Sequence, residues 1–204
     1  ALTTFAVPAP IVGATDSADP VVETPVEPER PDAECTISGT ESADTIYGTR
    51  EGDVICGLGG DDTIYSYGGD DIIYGGEGDD LLDAGDGMAT LFGGTGNDTL
   101  SGNGTLDGGE GDDRLSGDGT LSGGEGSDRL TGGGTLDGGA GDDRLFGLSG
   151  AIVTGGDGVD VFEVSNQATR AGDAPSVIAD FTPGTDRIEV YGHYTSTVGE
   201  TEPV

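Results

Sequence analysis

Lysine and tryptophan are absent from this chain, and histidine occurs once. Seven arginines face 40 acidic residues, a formal net charge of -33. Phosphate backbones and anionic bilayers are repelled by such a chain, which argues against nucleic acid and against membrane insertion as partners. His193 stands alone, with no HExxH and no Ser/His/Asp or Cys/His set at any spacing, so the chain reads as a non-enzyme. The two cysteines, Cys35 and Cys56, lack the CxxC spacing of a zinc or redox site and leave open either one structural disulfide or two free thiols. Aromatics make up only 5% of the residues while glycine is counted 42 times, which excludes an ordinary globular core. No run approaches the ~20 apolar residues of a membrane span, and residues 1–14 lack the basic flank of a signal peptide.

High charge with low hydrophobicity ordinarily means disorder, because too little apolar surface is buried to offset the lost chain entropy. The exception is a chain whose charges are neutralised by bound cations. What the sequence does contain is period. From Gly39 it runs in nines, GTESADTIY, GTREGDVIC, GLGGDDTIY, SYGGDDIIY, GGEGDDLLD, AGDGMATLF and GGTGNDTLS. After Ser101, six-residue units (GNGTLD, GDGTLS, GGGTLD) alternate with nines (GGEGDDRLS, GGEGSDRLT, GGAGDDRLF), and the period becomes fifteen. A fixed period signals a solenoid in which each repeat covers its neighbour.

Each nine divides into a six-residue loop, GGxGxD, and a three-residue strand whose middle residue is apolar. Alternation along a strand sends that residue inward. Ile37, Ile46, Ile55, Ile64, Ile73, Leu82, Leu91, Leu100, Leu106, Leu115, Leu121, Leu130, Leu136, Leu145, Val153 and Phe162 then form two facing ladders around a thin core. The sixth loop position carries Asp44, Asp53, Asp62, Asp71, Asp80, Asp98, Asp113, Asp128, Asp143 and Asp160. Loops on one edge stack about 4.8 Å apart, where neighbouring carboxylates repel by roughly 3 kcal/mol per pair at an effective dielectric of ~20. Calcium suits such a row: it takes six to eight oxygens, main-chain carbonyls among them, whereas magnesium demands a tight octahedron and transition metals find few ligands here.

These nines resemble the GGxGxDxUx unit of the RTX (repeats-in-toxin) calcium-binding family, and the resemblance spans about residues 39–163. It implies an all-β fold, a right-handed parallel β-roll. It also implies ions between loops on successive coils, held by the sixth-position aspartates and by carbonyls of the first four loop positions, which implicates Gly76, Gly78, Gly94, Gly96, Gly109, Gly111, Gly124, Gly126, Gly139, Gly141, Gly156 and Gly158. VIADFTPGTDRIEV resembles the segment that closes the roll in RTX proteases, which assigns Asp180, Phe181, Gly184, Asp186 and Ile188 to a cap. Three regions are expected: a Pro-rich acidic arm over 1–34, the roll over 35–163, and a short C-terminal β cap and tail over 164–204.

One edge departs from the pattern. Loops starting at Gly48 and Ser66 are complete, the loop at Ala84 has Ala89 in place of its aspartate, and the loops then shrink to GNG, GDG and GGG, too short to wrap an ion. An asymmetric roll follows, with a continuous calcium row on one edge, one to three ions on the other, and about eight to ten ions in all. The arm holds six of the nine prolines together with Leu2, Phe5, Val7, Ile11 and Val12. An apolar arm beside an open-ended solenoid suits strand exchange with another copy. The sequence-level expectation is therefore a secreted or cell-surface calcium-folded structural protein, a homopolymer joined through the arm or the roll ends. The alternative is a monomeric export or adhesion module of a larger secreted protein. Thr90, Thr105, Thr120 and Thr135 form a rank similar to those of calcium-dependent ice-binding rolls, but with one threonine per coil, flanked by Asp107, Ser122 and Asp137, ice is the lesser reading. The arginines at 114, 129 and 144 read as charge balance on an exposed ladder.

Overall fold

A computed structural model describes residues 35–165 and 174–191; the Pro-rich arm and the segments 166–173 and 192–204, with His193, lie outside the described residues. Every regular element is a strand. Short strands come first: β1 (Ile37–Ser38), β2 (Thr45–Tyr47), β3 (Val54–Gly59), β4 (Thr63–Tyr65) and β5 (Ile72–Glu77). Four long ones follow, β6 (Leu81–Thr95), β7 (Thr99–Glu110), β8 (Arg114–Glu125) and β9 (Arg129–Ala140). The last are β10 (Arg144–Gly147), β11 (Ile152–Asp157), β12 (Val161–Ser165), β13 (Val177–Ile178) and β14 (Arg187–Tyr191).

All pairings between these strands are parallel, and each strand pairs with one in the next coil, so the chain winds as a β-solenoid, a parallel β-roll. Register keeps inward residues on top of one another: Ile55 faces Ile73, Leu106 faces Leu121, and Leu130 faces Leu145. The predicted inward set is the core. From Ile55 to Phe162 its members are 3% exposed or less, and Ile37 at the first coil is half-buried. β-branched and leucine side chains fit this pleated, two-faced interior, and the outward neighbours are free to be polar.

The change of period has a visible effect. Where the loop 84–89 gives way to Gly102–Gly104, the β6–β7 register shifts between Asp83 and Met88, and from there pairing continues through the three-residue turns. That is why β6 to β9 are long. At the C-terminal end the sheets do not stop at Phe162: β13 pairs with β11 and β14 pairs with β12, so 177–191 continues both faces as one more coil. Cys35 and Cys56 are joined by a disulfide, Cα atoms 6.0 Å apart, tying the first coil to the second. Among the described residues no helix is long and apolar enough to cross a membrane.

Candidate metal centre

The sixth-position aspartates are arranged by a bond that runs along the solenoid. The main-chain N–H of Asp44 donates to Oδ1 of Asp62 at 2.7 Å, and the same link repeats through Asp80, Asp98, Asp113, Asp128, Asp143 and Asp160 at 2.7 to 3.1 Å. Asp160 then donates to Oδ1 of Asp186 at 3.3 Å, which extends the row into the last coil. On the other edge the link occurs between Asp53 and Asp71, at 2.9 Å. Each link occupies one carboxylate oxygen.

The second oxygen is where the site lies. Oδ2 of Asp62, Asp71, Asp80, Asp98, Asp113, Asp128 and Asp143 is buried and has no hydrogen-bond partner. An unpaired buried carboxylate oxygen is costly and asks for a cation. Around Asp62 the space is bounded by loop backbone: a methyl group added to Gly57 would collide with Asp62 Oδ2 and with the carbonyl oxygen of Gly75 in the next coil. The same juxtaposition recurs at Gly75, Gly93, Gly108, Gly123 and Gly138. Carboxylate and carbonyl oxygens thus converge once per coil, a donor set for a hard cation. No three His, Cys, Asp or Glu side chains converge at one point among the described residues, so a coordination shell here draws on main-chain oxygens beside the carboxylates.

The predicted glycines occupy the second and fourth loop positions. Gly76 and Gly78, for example, have φ of 121° and 123°, and a Cβ on either would strike the carbonyl of the preceding coil. Only glycine accepts that close approach without strain.

Burial raises the carboxyl pKa values, with neighbouring carboxylates adding to the effect and the main-chain hydrogen bonds opposing it. Asp113 is pushed up to about 8, Asp80 and Asp143 to about 7, and Asp98 and Asp128 to about 6. Asp62 and Asp160 are raised for the same first reason. Without a cation the row is harder to ionise than free carboxyls are.

Three loops differ, and the sequence reading missed why. Where threonine replaces the second glycine, it takes the free oxygen: Thr40 N–H and Oγ1 donate to Asp44 Oδ2 at 2.7 and 2.8 Å, and Thr49 does the same to Asp53 at 2.8 and 2.9 Å. Thr182 N–H donates to Asp186 Oδ2 at 2.6 Å. Asp44 and Asp53 therefore carry no orphaned oxygen, unlike the interior aspartates. A second ladder at the fifth loop position was also missed: Asn97 N–H donates to Asp79 Oδ1 at 2.7 Å, Asp112 N–H to Asn97 Oδ1 at 2.9 Å, and Ser127 N–H to Asp112 Oδ1 at 2.8 Å. Its only sequence signal is the recurrence of Asp or Asn at that position.

With this geometry in view, the family model of the RTX calcium-binding nonapeptide repeat matches residues 36–64, 57–88, 83–104, 101–119, 116–134 and 135–151. The chain belongs to this family. No curated protein and no solved structure matches it. RTX repeats bind calcium, and in this RTX chain the orphaned oxygens and stacked carbonyls fit that ion. Among the described residues the other edge of the RTX roll keeps a single orphaned carboxylate, Asp71, in line with its shortened loops.

The arginine ladder is more than surface balance. Arg114, Arg129 and Arg144 are in register. Glu163, 8% exposed, bridges Arg144 and Arg129, and Arg144 also reaches Glu189 at 2.8 Å, which Arg187 holds at 3.0 Å. These pairs fasten the last coils to the roll.

Proposed function

We propose that this RTX roll is a secreted structural protein of the extracellular space or cell surface that folds on binding calcium and assembles with further copies into a filament or layer. The orphaned Oδ2 row carries the reading: at neutral pH a stack of buried, unpartnered carboxylates needs cations to hold it together. The ligands are the sixth-position aspartates and the loop carbonyls named above, with about eight to ten ions in all, Asp44 and Asp53 holding theirs more weakly than the interior residues. Millimolar calcium outside a cell drives the transition, since a ligand that binds only the folded chain stabilises it by mass action.

Assembly rests on the roll end and the arm. Ile188 sits in core register over Phe162, yet it is 44% exposed, with Phe181 at 37% and Val190 at 41% beside it. An open core end of this kind favours association, and the apolar residues of the Pro-rich acidic arm 1–34 offer a covering segment. In this reading 35–163 is the roll proper and 164–204 its cap and tail. The alternative, a monomeric export or adhesion module, shares the calcium switch and lacks the polymer.

Size-exclusion chromatography with light scattering and circular dichroism, with and without calcium, separates the readings. Gain of β signal with species far above 20.3 kDa, lost when residues 1–34 are deleted, supports assembly through the arm. Gain of β signal in a strict monomer leaves the module. No calcium response overturns both.

A further inference from the structure

Two loops keep the left-handed backbone of the second position without glycine: Leu58 at φ 86° and Tyr67 at φ 72°. Leu58 is half-buried, but Tyr67 is 56% exposed, so its strained backbone displays a ring to solvent and not to the core. Tyr47, also 56% exposed, lies nearly parallel to it, ring centroids 6.1 Å apart and planes 12° apart, and Tyr47 stacks on Tyr65 at 5.8 Å and 14°. Next to this stack opens a cleft of about 640 Å³ lined by Thr49, Arg50, Tyr67, Gly68, Gly69 and Asp86. Arg50 and Asp86 are exposed there, and Arg50 has no ion-pair partner among the described residues.

We propose that this cleft binds a neutral saccharide, a β-linked glucan segment. The face of a tyrosine ring is electron-rich and attracts polarised C–H groups, and a pyranose whose substituents are all equatorial presents such C–H groups across a whole face. The Arg50 fork donates and the Asp86 carboxylate accepts, which matches adjacent sugar hydroxyls. Gly68 and Gly69 leave the cleft floor without side chains. The volume lies within the range of small-ligand sites, and a chain of net charge -33 disfavours polyanionic glycans. The cleft includes none of the arm or C-terminal residues on which the assembly reading rests.

Cellotetraose titrated into the full chain in excess calcium, followed by calorimetry, tests the site. Saturable binding is expected, weakened about tenfold or more by Tyr67→Gly and about tenfold by Arg50→Ala. Tyr67→Gly restores the residue the repeat uses elsewhere, so its calcium-induced β signal should be retained at the same or lower calcium. Absence of binding at millimolar cellotetraose, binding undiminished in Tyr67→Gly, or binding of a polyuronate in its place would each overturn the assignment. So would loss of the calcium-induced fold in Tyr67→Gly, which would make the ring structural.

Discussion

Removing calcium at neutral pH should unfold the roll, and removing charge should restore it without calcium. Asp80, Asp98, Asp113, Asp128 and Asp143 are 2% exposed or less, and burial lifts their carboxyls to about 7, 6, 8, 6 and 7 from 3.8. An acid with a raised folded pKa contributes most stability below its unfolded pKa and loses it as pH rises towards the folded value, here between 3.8 and about 8. Each pH unit in that interval costs about 1.36 kcal/mol per carboxyl. At pH 7.5 the cost is about 3–5 kcal/mol for each such carboxyl, and at pH 5 it is about 2 kcal/mol. Whole domains are stable by only about 5–15 kcal/mol, so the chelated chain lies on the unfolded side at pH 7.5 and moves towards balance at pH 5. Far-UV circular dichroism in chelator between these two values is the assay, stopping above the isoelectric point near 4.1 to keep the chain soluble. Disorder at pH 7.5 and growing β signal towards pH 5 are expected. A chelated chain that is fully β at pH 7.5, or equally disordered at pH 5, would refute the reasoning.

Three further outcomes follow from named contacts. Asp113→Ala removes the acceptor of the Asp98 N–H and one carboxylate of the row; the calcium midpoint by circular dichroism should rise about fivefold or more, and an unchanged midpoint counts against the ligand assignment. Cys56→Ser opens a bridge spanning 21 residues and should cost about 3 kcal/mol in guanidinium unfolding with calcium present. Glu163→Gln leaves Arg129 and Arg144 facing each other without their shared anion; a loss of about 2 kcal/mol is expected, with faster amide exchange in β14 and unchanged exchange in β8.

The core was legible from period alone, because a residue such as Leu121 meets the same neighbours one coil up and one coil down. The aspartate row was legible for the same reason. What joins the row was not: the bond from Asp98 N–H to Asp113 Oδ1 links backbone to a side chain fifteen positions away, and residue type does not announce such a link. Thr40 and Thr49 carry no signal in the repeat pattern, yet each satisfies the carboxylate oxygen that the interior aspartates leave unpaired. Glu163 closes the last repeat, and nothing local marks it for burial: it is paired with Arg129 and Arg144, which sit on two earlier coils. The cysteine pairing was undecided by spacing, because the 21-residue separation becomes a contact only once the first two coils are stacked.

The shift from coils of 18 residues to coils of 15 bears on how the molecule would yield under load. Pulled from its two ends, a solenoid peels one coil at a time, since each coil is fastened only to its neighbours. An early coil would release roughly 60 Å of chain and a fifteen-residue coil roughly 50 Å, while the closing coils, 17 and 26 residues long, would release roughly 60 and 90 Å, at about 3.4 Å per residue. The force–extension trace would thus open on a step of roughly 90 Å if the C-terminal end gives way first and on steps of roughly 60 Å if the N-terminal end does. With Cys35–Cys56 reduced, the Glu163 bridges still fasten the last coils, and the steps of the N-terminal coils should come first.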